Sequence, residues 1–202
     1  MTAAVADAPG AESLPRIGPN AITQVIDVAR NLEQASKVRA ILTRAGLERY
    51  LDAPPAGMVP ETEVQALHLA IDGTMGAGRA LTVSWLAGWH TASYLLAHRI
   101  PQPAQKVLRR LPPFLSGRIL MAAIRRNAWT FVGSGSIETE GARRIRIGSC
   151  VLCRDARVTS GGTYYAAVFE HLFQELVDAR VRVREVACIR SGAPECVFEI
   201  GR

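Results

Sequence analysis

Between Val181 and Ile200 the chain spells out a β-hairpin, and that hairpin constrains the rest. Val181, Val183, Glu185, Ala187 and Ile189 repeat every second residue, Ser191-Gly192-Ala193-Pro194 supplies a reversal, and Cys196, Phe198 and Ile200 share one face of a returning strand. With the loop centred on Gly192, Cys188 and Cys196 lie opposite each other on that face. Two soft donors are thus within reach of one ion or of each other. All four cysteines, Cys150, Cys153, Cys188 and Cys196, fall in this C-terminal part. Cys150 and Cys153 form a C-x-x-C, whereas the second pair is too widely spaced for a zinc ribbon. Three readings stay open: a tetrahedral zinc held by all four thiolates or by three of them plus Glu185, ordinary buried thiols, and a redox pair.

Compartment bears on that choice. Met1 to Gly18 is rich in Ala, Pro and Gly, carries Asp7 and Glu12, and has neither a basic n-region nor an apolar h-region. Residues 1–18 therefore read as a flexible tail on a cytoplasmic protein, where stable disulfides are rare and grouped cysteines more often bind metal. The remaining residues, 19–202, are numerous and apolar enough (49% hydrophobic overall) to bury one core as one domain.

The net charge of +6 is unevenly spread. From Gly73 to Ile137 there is no Asp or Glu, while Arg79, Arg99, Lys106, Arg109, Arg110, Arg118, Arg125 and Arg126 all lie in that stretch. A basic surface follows, suited to an acidic partner such as another enzyme or an anionic membrane, or else simply solvated. No zinc-finger, helix-turn-helix or RNA-binding pattern accompanies it, so nucleic acid is not expected. Self-association into a homodimer stays open.

Periodicity divides the chain into a helical front and a β-rich back. Helices are expected over 20–30 and 32–45, with Gly46 as a stop, and from Glu61 through Ile71 after an exposed Pro-rich loop. Arg79 to Arg99 reads as one long helix. Its uncharged middle approaches the length of a membrane span, but Thr82, Ser84, Gly88, His90, Thr91 and Ser93 argue for a buried soluble helix, with Leu81, Trp85, Trp89, Ala92 and Leu96 as its inward stripe. Pro112 and Pro113 break the basic helical region 102–127. Trp129 to Glu138 and Arg143 to Ile147 read as an antiparallel pair, and Thr163 to Asp178 as an amphipathic helix before the final hairpin. The expected class is α+β, a helical N-terminal part packed on a four-stranded antiparallel sheet.

Gly162-Thr163-Tyr164-Tyr165 with Phe169, then Glu185-x-x-Cys188 and Gly192-x-x-x-Cys196-x-Phe198, resemble the 4-vinyl reductase domain family over about residues 137–201. The whole chain resembles the J-protein family of bacteriochlorophyll synthesis in purple phototrophs, which carries the vinyl reductase label. This resemblance implies the ligand-binding fold of phenol-sensor domains and vesicle-tethering subunits. It also implies a structural zinc on Glu185, Cys188 and Cys196, with Cys150 or Cys153 as the further ligand, since the segment Arg154 to Ser160 separates both from the following helix. By the same resemblance the location is cytoplasmic or peripheral to the photosynthetic membrane, and the partner of the basic stretch a pigment-synthesis enzyme or the membrane itself.

Vinyl reduction needs a hydride source. Gly73-Thr74-Met75-Gly76-Ala77-Gly78 follows a helix and lacks the dinucleotide order, and Gly133-Ser134-Gly135-Ser136 reads as a bent strand end. Neither NAD(P) nor flavin is therefore expected. A carrier or assembly factor for a divinyl chlorophyllide-type tetrapyrrole is the leading expectation, the reductase and a small-molecule sensor its alternatives. A flat apolar ring with a central magnesium and a carboxylate needs aromatic walls, an axial donor and a cation. Trp85, Trp89, His90, Tyr94 and His98 on the long helix and Trp129 and Phe131 on the first strand are the candidate lining residues. Paired Trp at helical spacing is also ordinary core packing, and a lone His a satisfied core or rim group.

Overall fold

The computed structural model describes residues 15–202, apart from the side chain of Phe131. Most of the sequence-predicted tail therefore lies outside the described residues. Its end does not behave as a tail: Arg16–Ile17 (β1) pairs antiparallel with Val59–Pro60 (β2), and Ile17 is buried. Two-residue strands carry no periodicity, so the Pro-rich loop hid this pairing.

The helical front comprises α1 (Asn20–Leu32), α2 (Ala35–Ala45), α3 (Glu61–Met75) and α4 (Ala77–His98). Gly46 closes α2 at φ 69°, a left-handed conformation that glycine adopts without steric cost. Helix α5 (Gln102–Arg110) and helix α6 (Pro113–Arg126) follow, each with a proline in its first turn, where a missing N–H costs nothing. Among the described residues no helix is long and apolar enough to cross a membrane.

The inward stripe of α4 differs from the expected one. Leu81 is exposed and both Trp85 and Trp89 are half-buried, whereas Ala80, Val83, Ser84, Ala87, Gly88, Thr91 and Ala92 are buried. The reason is close approach: α4 packs on α8 (Gly161–Leu176) so tightly that a Cβ on Gly88 would collide with the Tyr164 carbonyl oxygen. Small residues, not large ones, mark this interface.

The expected first strand also begins later. Trp129–Val132 is a short helix (α7), and the strand β3 is Ser136–Glu140. Its partner β4 (Arg144–Gly148) and the final strands β5 (Arg182–Ala187) and β6 (Cys196–Gly201) complete a wholly antiparallel four-stranded sheet in the order β3-β4-β6-β5. Ile145, Ile147, Val183, Cys196 and Phe198 are buried, and Phe198 meets the rings of Phe169 and Tyr165 on α8 at 5.6 and 6.3 Å. On the solvent face, Arg144 and Arg146 bridge Glu140, Glu195 and Glu199. The architecture is thus the α+β arrangement of helices on a four-stranded antiparallel sheet.

The stretch Gly133 to Ser136 is a helix–strand junction rather than a bent strand. Buried Glu61 at the start of α3 accepts from the Ser134 amide and hydroxyl and from Arg154 at 3.1 Å, clamping the helical front to the sheet.

Candidate functional site

Two sites lie on opposite sides of the first turn of α8. Tyr165 sits on the side of the cysteines, whose charges act on its buried hydroxyl. Tyr164 borders a cavity among the helices.

The cysteine side is built by three local features. A 3-10 turn, Val151–Cys153, buries Cys153 just before α8; a bulge after Glu185 ends the regular pairing of β5 with β6; and the following 3-10 turn, Ile189–Ser191, holds Cys188 against the first residue of β6. Cys188 and Cys196 have their sulfurs 3.7 Å apart. Donor atoms of Cys153, Glu185, Cys188 and Cys196 all lie within 4.8 Å of one another, and the three thiols are buried. Cys150 is buried nearby but does not belong to that group of four.

Electrostatics marks the cluster as incomplete by itself. Glu185 points inward at Gly162, burial raises its carboxyl above the usual range, and its Oε1 has no hydrogen-bond partner. Hydrogen bonding to Cys150, Cys188 and Cys196, with burial, holds the Cys153 thiol far above its ordinary range. Cys196, accepting from Cys150 and Cys153, is drawn down to about 3. One thiolate is thus tolerated among thiols, and further ionisation needs a cation. Three sulfurs and one carboxylate oxygen suit tetrahedral zinc, and four protein donors leave no open position.

The cavity measures about 360 Å³, at the lower end of the range for small-ligand sites. Its buried walls include Ile17, Ala21, Leu120, Ile124 and Leu172, while Thr91 and Tyr164 share a hydrogen bond of 2.8 Å on the floor. Exposed Arg99 and Trp129 stand at the rim. A larger groove of about 520 Å³ crosses the sheet's outer side, but it is lined by Arg143, Arg144, Arg182, Arg184 and Arg202 with Glu140 and Glu199, already partly paired. That surface suits small anions, not an apolar ring.

Of the seven aromatic and histidine residues expected to share one pocket, only Trp129 borders this cavity. Trp89 instead stacks on His171, with ring centroids 3.7 Å apart, and His171 also bonds Ser93 at 3.0 Å. Tyr94 stacks on His98 at 4.5 Å, the His98 Nδ1–H donating to the Tyr94 carbonyl. Trp85 packs against the core and His90 faces solvent. Phe131 shares the turn of Trp129, not a strand. The missed residues, Thr91, Leu95 and Arg99, recur every fourth position along α4, a signal overshadowed by the larger rings beside them.

Comparison with known proteins places these features. Residues 144–202 match the 4-vinyl reductase domain family. The chain is 42% identical over 187 residues to the bacteriochlorophyll synthase 23 kDa chain of Rhodobacter capsulatus, covering 91% of this chain and 86% of that one. The protein of the same name from Cereibacter sphaeroides is 40% identical over 190 residues, covering 92% and 90%. Among solved structures, an H-NOX protein variant from K. algicida in its Fe(II) unliganded state superposes with a TM-score of 0.58 at 13% identity, covering 92% of this chain and 96% of that one. This last likeness is one of fold.

Proposed function

Since the chain belongs to the family of the bacteriochlorophyll synthase 23 kDa chains, we propose that it serves bacteriochlorophyll biosynthesis by binding a tetrapyrrole intermediate as a carrier or assembly factor. The observation behind this reading is the helix-walled cavity, apolar within and carrying one cation, Arg99, and one aromatic plate, Trp129, at its rim. A macrocycle is larger than this cavity, so part of the ring enters and the remainder rests on Trp129. Arg99 would meet the carboxylate, as a charge-assisted hydrogen bond is the stronger kind. The Thr91–Tyr164 pair satisfies itself and leaves the floor without a reactive group aimed at the ligand.

Zinc fits the second site as a structural ion. Cys153, Cys188, Cys196 and Glu185 would hold it, and the ion would neutralise the charge that burial forbids, tying the start of α8 to the last hairpin. In this way the metal fixes the helix that carries Tyr164 into the cavity.

The test is a titration of the purified protein with divinyl chlorophyllide, followed by tryptophan fluorescence and pigment absorbance, before and after addition of NADPH. The expected result is quenching and a shifted pigment band, with the vinyl group intact after reductant. Catalytic loss of that vinyl group would overturn the carrier reading, and no spectral change would overturn pigment binding altogether.

A further inference from the structure

Four large apolar side chains on α5 and α6 face solvent: Val107, Phe114, Leu115 and Ile119, with exposures of 57%, 69%, 38% and 43%. They make up half of the eight large apolar residues exposed among the described residues. Single exposed apolar residues are ordinary, but a concentration on two consecutive helices marks a contact surface. The other exposed positions on these helices include Lys106, Arg110, Arg118, Arg125 and Arg126. Among the described residues, Arg109 alone of the neighbouring cations meets a carboxylate, that of Glu175 at 3.2 Å. No acidic residue occurs from position 73 to 137, so nothing in this stretch offsets the charge.

The arrangement on α6 is specific. Ser116, Gly117, Leu120, Met121 and Ile124 are buried, and the opposite arc interleaves Phe114, Leu115 and Ile119 with the three arginines. Large apolar side chains among cations, on a helix lying flat on a folded body, match the chemistry of an anionic bilayer interface: rings and aliphatic chains enter the acyl boundary while guanidinium groups remain with the phosphates. An acidic protein would satisfy the arginines but would need its own apolar pocket for a protruding Phe114. We infer that the α5–α6 corner is a docking surface for an anionic lipid bilayer.

The same helix walls the cavity. Leu120, Ala123, Ile124 and Asn127, from the end of α6 and its cap, line it, beside Arg99 and Trp129 at the rim. Seated on lipid, the corner brings the cavity next to the bilayer, so an apolar ligand exchanges with the membrane without crossing bulk water. This consequence rests on the pigment reading; the docking itself does not.

The experiment is flotation of the full chain with vesicles of phosphatidylglycerol and phosphatidylcholine, or of phosphatidylcholine alone, at low salt and at 1 M NaCl, where the Debye length falls to about 3 Å. Wild-type protein should float with the anionic vesicles at low salt and be largely released at 1 M. The triple variants Phe114→Ser/Leu115→Ser/Ile119→Ser and Arg118→Gln/Arg125→Gln/Arg126→Gln should each partition at least about tenfold less, as removal of several apolar anchors or phosphate contacts predicts. Leu81→Ser, which removes an exposed apolar residue elsewhere, should float as wild type. In Phe114→Trp, the added emission should shift to the blue with anionic vesicles. Failure of the wild type to float, or flotation of both triple variants as wild type, overturns the inference, as does binding to an acidic protein without flotation. Pigment titration in vesicle-free buffer separates the two readings. Protein that floats but ignores pigment sinks only the carrier function, and protein that binds pigment but does not float sinks only the docking.

Discussion

The hydroxyls of Thr91 and Tyr164 lie 2.8 Å apart, both buried, and join α4 to α8 on the floor of the cavity. Burial holds the Tyr164 phenol well above its ordinary pKa, so it remains a neutral hydrogen-bonding partner. Thr91→Val leaves that phenol without a partner and should cost about 1–3 kcal/mol in chemical denaturation. Adding Tyr164→Phe removes the orphaned group as well, so the double variant should be less destabilised than the sum of the two single ones. Additive losses would mean that the pair is not coupled.

Ligand binding should depend on the rim and not on the aromatic face of α4. Arg99→Met and Trp129→Ala should each weaken pigment affinity by about tenfold, or about 1.4 kcal/mol, while Trp85→Phe and His90→Ala leave it unchanged. The readout is the dissociation constant from fluorescence quenching. The reverse pattern would place the ligand beside Trp89 and His171 instead.

Close packing of α4 on α8 gives a paired prediction. Gly88→Ala must displace the Tyr164 backbone and the Ala167 methyl, which would be 2.9 Å away, and should lower stability by about 1–3 kcal/mol. Gly78→Ala, in the same helix with nothing within 4 Å, should instead raise stability by about 0.4–1 kcal/mol, because alanine reduces unfolded-chain freedom. Melting curves of the two variants decide this by sign.

These two glycines also show what the sequence could express. The hairpins were legible because a period of two is visible over five or six residues, and the same alternation set Cys188 near Cys196. Trp129-Thr130-Phe131-Val132 has a strand-like composition, yet folds as a helical turn. Thr130 donates its side-chain hydroxyl to the Asn127 carbonyl and its own carbonyl accepts from Gly18 on the neighbouring β1 segment. Such long-range pairing overrides local propensity and leaves no pattern to read. The cavity was hidden for a related reason, since its lining is drawn from β1, α1, α4, α6, α7 and α8. On α4 small residues marked the interface, while the large aromatics drew attention to the wrong face.

The metal centre should discriminate between the two cysteines of the C-x-x-C. Cys153 belongs to the group of four donors and Cys150 does not. Untagged protein should therefore carry about one zinc per chain by atomic absorption, with the metal retained in Cys150→Ser and lost in Cys153→Ser, Cys188→Ser or Cys196→Ser. Glu185→Gln should weaken zinc binding, because a neutral amide replaces an anionic ligand. Chelation should lower the melting temperature of wild type and of Cys150→Ser alike. Zinc lost equally from all four serine variants would mean that the ligand set is wider than the geometry indicates.

His68 sets a pH dependence that neither site requires. Its ring is fully buried, edge-on to Tyr164 with centroids 6.2 Å apart, and neither ring nitrogen has a hydrogen-bond partner. Asp72, one turn on, is occupied by the hydroxyls of Thr159 and Ser160. Burial therefore outweighs the attraction of Asp72 and lowers the histidine from 6.5 to about 4. The folded state keeps His68 neutral where the unfolded chain already binds a proton, so between about pH 6.5 and 4 stability rises with pH. The contribution is complete above the unfolded pKa and is lost as pH falls toward 4, on the order of 3 kcal/mol in all. His68→Leu should flatten the denaturation free energy across that window by about one proton's worth of slope. A variant whose slope matches wild type would show that His68 acquires a partner, or water, in solution.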